Sequence, residues 1–192
     1  MEKNSLEALI YFIAGIIIAL IILILVRGQI SFRSQKPLVY AGQKPNFILE
    51  QDLSGNFVCE GVIFGPTGKV NSRFVSDMII EWDNGKGVLN ERFTYDTGVV
   101  QDRKWELQVS SSGDIRATAT DFIGDATGTQ KGSAVNLNYC IKLPDSAGGH
   151  KLNVTDWMYK LHNGTIMNRS QFFKYGIKVA ELNATIRRKE VK

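Results

Sequence analysis

The stretch Asp156–Gly176, DWMYKLHNGTIMNRSQFFKYG, sets two aromatic and amide-rich runs on either side of a His-Asn-Gly-Thr centre. Asn163-Gly164 is a strong hairpin signal, because both residues tolerate the positive φ that a type I′ turn requires. The stretch therefore reads as a β-hairpin, and its position late in a chain of alternating segments predicts that it closes a barrel.

Working outward, the same alternation fills most of the chain. Strands are expected over Phe57–Phe64, Val70–Trp82, Val88–Asp96, Val99–Val109, Asp114–Thr120, Phe122–Lys131, Ser133–Leu143, His150–Tyr159, Thr165–Lys174 and Val179–Arg187. Gly, Pro, Asn and Ser clusters separate them, as at Gly65-Pro66-Thr67-Gly68 and Asp83-Asn84-Gly85. Even spacing without a long helix indicates an all-β domain, an antiparallel up-and-down, lipocalin-like β-barrel that removes exposed strand edges by closure. Phe47–Leu53 is expected to make one helical turn ahead of the first strand. Gly124, Gly128 and Gly132 lack a phosphate-loop context and read as places of close backbone approach or bending.

The N-terminal segment has a different character. Ala8–Val26 is 19 residues without a charge, about 28 Å as a helix, close to the ~30 Å hydrocarbon core of a bilayer. A cleaved signal peptide has a shorter apolar core, roughly 7 to 15 residues, and a small-residue cleavage site; this run ends Leu25-Val26-Arg27. The reading is a retained transmembrane helix over residues 8–26 within an anchor at 1–27, a tether at 28–45 and a barrel domain at 46–190. Arg27, Arg33, Lys36 and Lys44 follow the helix while Lys3 alone precedes it, so charge bias taken literally keeps the domain in the cytoplasm.

Composition excludes several functions. The net charge is +4, yet from Pro45 onward 18 basic residues meet 17 acidic ones, so no basic face is available for nucleic acid. Cys59 and Cys140 lie in expected strands, as a disulfide or as two buried thiols. With two histidines, no CxxC and no cofactor fingerprint, neither a metal site nor a cofactor is expected.

Alternation also places charges on apolar faces. Glu91 shares a face with Leu89, Phe93 and Tyr95; Arg103 with Trp105 and Leu107; Asp121 with Ala117 and Ala119; Asp156 with Leu152, Val154 and Met158; Arg169 with Met167 and Phe173. Buried charges must pair with each other, with backbone or with a guest. One reading is two structural ion pairs, Glu91 with Arg103 and Asp156 with Arg169. The other is the polar end of an apolar cavity, where Arg103 or Arg169 meets an amphiphile's carboxylate or phosphate and Tyr95, Trp105 and Phe173 line its tail. Trp157 and Tyr159 fall on the opposite face, as a contact surface for a partner or the bilayer, or as a cap on the barrel.

WDNGKGVLNERFTYDTG (Trp82–Gly98), Arg103-Lys104-Trp105, Ala119-Thr120-Asp121, DWMY, NRS and KYG together resemble the bacterial lipoproteins grouped as domain of unknown function 3833. The resemblance spans roughly Phe47–Arg188. It implies export, membrane attachment and a lipocalin-like barrel, and it matches Glu91, Tyr95, Arg103, Trp105, Asp121, Asp156, Trp157, Asn168, Arg169 and Gly176 to the family's marked positions, none with a catalytic role. Here a helix stands where the family has a lipid-modified cysteine. The resemblance outweighs the charge bias and favours a periplasmic domain on a single-pass inner-membrane anchor, with the cytoplasmic side as the alternative.

The resulting expectation is a monomeric membrane-anchored barrel that binds or shields a membrane lipid or other apolar small molecule. The alternatives are an accessory protein docking a membrane enzyme, or a lipid-modifying or isomerising enzyme using Glu91 or Asp156.

Overall fold

The computed structural model describes residues 2–29 and 32–190. Ile30 and Ser31 of the expected tether lie outside the described residues. The chain divides into two compact units, Met1–Lys36 and Pro37–Lys192.

In the first unit, α1 (Glu2–Gln29) contains Asn4–Val26, with a mean hydropathy of 3.3 and none of its residues buried. It is long and apolar enough to cross a membrane, a property that signal sequences share.

The second unit is a closed antiparallel ring of ten strands: β1 (Gly55–Phe64), β2 (Val70–Asp83), β3 (Lys86–Tyr95), β4 (Val100–Val109), β5 (Asp114–Ala119), β6 (Ala126–Lys131), β7 (Ala134–Lys142), β8 (Lys151–Lys160), β9 (Ile166–Lys174) and β10 (Ile177–Arg188). Each strand pairs with its sequence neighbours, and β1 pairs with β10. Closure is thus made by the first and last strands, and the Asp156–Gly176 hairpin is an internal pair, β8 with β9. β6 starts at Ala126, not Phe122, because Phe122 leaves the ladder and keeps a single bridge to Ile141.

A short helix α2 (Leu49–Asp52) caps one end of the ring. Phe47 N donates to Gly132 O at 2.7 Å, Trp82 Nε1 to Leu53 O at 2.7 Å and Lys160 Nζ to Asp52 Oδ1 at 2.6 Å, so α2 is held from several strands. Phe47, Leu49 and Leu53 are buried and join the core with Phe57, Met78, Ile80 and Ile186. Two of the three recurrent glycines are close approaches: a Cβ on Gly128 would lie 1.9 Å from Asn136 O, and one on Gly132 1.7 Å from Tyr40 O, whereas one on Gly124, with φ of 75°, would meet nothing within 4 Å.

Two hairpins differ from expectation. Tyr175-Gly176, with φ of 52° and 80°, carries the positive-φ pair of a type I′ turn, as does Asn84-Gly85. At Asn163-Gly164 only Gly164 is positive (82°). Gly164 N donates to Leu161 O and Leu161 N to Thr165 O, a three-residue loop over residues 162–164. That extra residue sets Asp156 opposite Ser170 and Trp157 opposite Arg169.

Candidate functional site

The interior of the ring retains a cavity of about 120 Å³, and its walls are mostly apolar: Leu89, Phe93, Leu107, Leu137, Met158 and Phe172 are among them. Leu49 and Leu53 of α2 form part of the same wall. Among the described residues, Glu91, Arg103 and Asp156 bring charge to this space, with Cys59, Tyr139, Asn168 and Ser170 as further polar lining.

Asp156 is 7% exposed. Its Oδ1 accepts from Ser170 Oγ at 2.7 Å and Asn168 Nδ2 at 2.5 Å, and Oδ2 from Tyr139 Oη at 3.5 Å. Burial pushes its carboxyl above the ordinary range, and the Ser170 and Asn168 bonds work against that rise. Glu91 lies across the ring and accepts one hydrogen bond, from Trp105 Nε1 to Oε2 at 2.7 Å. Burial raises it to about 6, partly opposed by Arg103 and Trp105. Burial likewise pushes the phenols of Tyr139 and Tyr95 and the thiol of Cys59 upward, leaving all three neutral.

Arg103 stands directly opposite Glu91 in the β3–β4 ladder, yet its guanidinium turns to Asp121: Nε donates to Oδ1 at 3.1 Å and Nη2 lies 3.1 Å from Oδ2. Trp105 and Phe122 lie against the guanidinium, 4.6 and 5.2 Å from their ring centroids. Phe122 stacks on Tyr139 at 4.7 Å, and Phe74, Phe93 and Tyr95 continue the aromatic wall. The expected Glu91–Arg103 ion pair is therefore replaced by Arg103–Asp121 and a Trp105–Glu91 hydrogen bond.

Arg169 and Phe173 are corrections. Odd-numbered residues of β9 face outward, because the three-residue loop fixes its register against β8 and a one-residue slip reverses a strand's faces. Arg169 pairs with Glu181 at 2.7 Å on the outer surface, where Lys178 and Gln171 also reach Glu181. Asn168, Ser170 and Phe172 take the inward places instead. The outer face of β8 is also not free. Tyr40 packs on Trp157 and Tyr159 at 5.3 and 5.6 Å, and Trp157 is only 2% exposed. Cys59 and Cys140 are both free thiols.

Tyr139 and Ser170 were missed in the sequence. The Val135-Leu137-Tyr139 alternation contained the signal for Tyr139; Ser170 is inward only through the β8–β9 register. Asn168 was marked by family resemblance alone, and the structure gives it the role of donor to Asp156.

The family model for proteins of unknown function, DUF3833, matches residues 26–188. The chain belongs to the DUF3833 family. No functionally curated protein matches it. Among solved structures, the S-type phycobiliprotein lyase CPES from Guillardia theta is similar with a TM-score of 0.55 at 10% identity, covering 75% of this chain and 92% of that one. A redesigned β-barrel is similar with a TM-score of 0.38 at 13% identity, over 73% and 95%. The lyase likeness establishes a shared lipocalin-like barrel for this DUF3833 protein and nothing about its chemistry.

Proposed function

We propose that this DUF3833 protein is a membrane-anchored binding barrel that holds a small apolar molecule, or the apolar part of a lipid, in its lumen. The observation carrying this reading is the cavity itself. Side chains leave an apolar space of about 120 Å³ unfilled inside the ring, and Glu91 and Asp156 border it. An engineered apolar cavity of about 150 Å³ takes benzene, and drug-sized guests need roughly 300–1,000 Å³. The fit is therefore to a benzene-sized group or a short chain segment. The N-terminal helix would hold the barrel beside the bilayer, on the periplasmic side of the inner membrane.

The accessory-protein alternative drew on Trp157 and Tyr159 as exposed rings, and Tyr40 lies over both. Native mass spectrometry of the full chain purified from membranes tests the binding reading. A stoichiometric adduct of low mass is expected, and the bare chain mass in every preparation would count against it. Protease digestion of spheroplasts tests the side: cleavage of the barrel is expected, and protection would place it in the cytoplasm.

A further inference from the structure

The charges around the lumen do not balance. Among the described lining residues Glu91 and Asp156 are acidic and Arg103 is the single cation, and Arg103 is already paired with Asp121, which stands outside the lining. The charge of Arg103 is paired: Asp121 approaches two of its nitrogens, and the aromatic rings of Trp105 and Phe122 lie against it, while Nη2 keeps no aligned acceptor. Glu91 and Asp156 remain, on β3 and β8, which are five places apart whichever way the ten-strand ring is followed. They face one another across the cavity.

The groups that bond these two carboxyls are all neutral: Trp105 for Glu91, and Ser170, Asn168 and Tyr139 for Asp156. Neutral donors satisfy lone pairs without supplying a counter-charge, and Arg103, shared with Asp121, offsets only part of the cost of burying two carboxylates. Glu91 has one hydrogen bond, so lone pairs on a lumen-facing side chain are available to a donor.

We propose that the guest is a small apolar amine, its ammonium bonded to Glu91 opposite Asp156 and its body among Leu137, Met158 and Ile186. The inference rests on the binding reading above and narrows it. It also reverses the sequence-based expectation that an interior arginine receives an anionic head group. Arg103 Nη2, which lies near Asp121 Oδ2 without the alignment of a hydrogen bond, is the lumen donor on which an anion would compete.

Methyl resonances of methionine provide the test, since Met78 and Met158 line the cavity while Met167 is exposed on the outer face. The full chain in nanodiscs at pH 7.5 would be titrated with toluene, benzylamine and benzoate. Saturable shifts at Met78 and Met158 but not Met167 are expected, with benzylamine binding at least tenfold tighter than toluene or benzoate. Glu91→Gln, which keeps an acceptor for Trp105, should bring benzylamine to within threefold of toluene. Toluene binding without an amine preference, a preference for benzoate, or a preference that survives Glu91→Gln would each overturn the amine assignment and leave the binding reading standing. If none of the three probes shifts Met78 or Met158, both fall.

Discussion

Glu91 and Asp156 face each other across the lumen from strands on opposite sides of the ring, and no basic side chain among the described lining residues bonds either of them. Burial raises the proton affinity of both carboxyls, and the charge of Asp156 adds to the rise at Glu91.

Stability should therefore depend on pH through Glu91. Its folded-state value of about 6 exceeds the ordinary 4.5, so between these values the folded chain binds more protons than the unfolded one. The stabilisation is fully present below pH 4.5 and is lost as pH rises through 6, with Asp156 acting in the same direction. A shift of this size amounts to about 2 kcal/mol. Glu91→Gln should unfold at a higher temperature than the natural protein at pH 7.5 and coincide with it near pH 4.5. Equal melting temperatures at both values would contradict this.

Trp105→Phe keeps an aromatic surface for Arg103 and removes the donor to Glu91. Because that bond favours the ionised form, the Glu91 titration followed by carbon NMR should move above 6, and stability should fall by about 1–3 kcal/mol. An unmoved titration would show that the bond has no effect on the carboxyl.

Gly128→Ala places a Cβ against the backbone of β7, which cannot turn aside, and should cost about 3 kcal/mol in denaturant unfolding. Gly164→Ala meets open space and pays only for a φ of 82°, about 1–2 kcal/mol. A reversed order of the two would refute the packing of β6 on β7.

Strand number and the barrel were legible because a period of two repeats between turn residues over the whole domain, while the start of β6 was not. Glu91, Arg103 and Asp156 were legible for the same reason, each lying within an unbroken alternation. Arg169 was not. The outer face of β9 carries Phe173, as buried as a core residue, so both faces of that strand look apolar and periodicity cannot choose between them. The choice is made by the 162–164 loop, whose single extra residue resets the register. Pairing among charges was equally hidden, since Arg103 reaches past its direct neighbour Glu91 to Asp121 beyond the end of β5.

The placement of Arg169 outside yields its own expectation. Burial raises Glu181, but its bonds with Lys178 and Arg169 outweigh that and leave it below the usual range. Since the Arg169 side chain is 45% exposed, Arg169→Ala should cost at most about 1 kcal/mol and less at high salt. Guest affinity in the lumen should stay within twofold, and a larger loss would return Arg169 to the binding site.

The central claim is that the lumen accepts an apolar guest. Toluene titrated into the full chain, with the methionine methyls observed, tests it most directly. Saturable shifts confined to Met78 and Met158, with Met167 unmoved, are predicted; unchanged lumen methyls up to toluene saturation would contradict it.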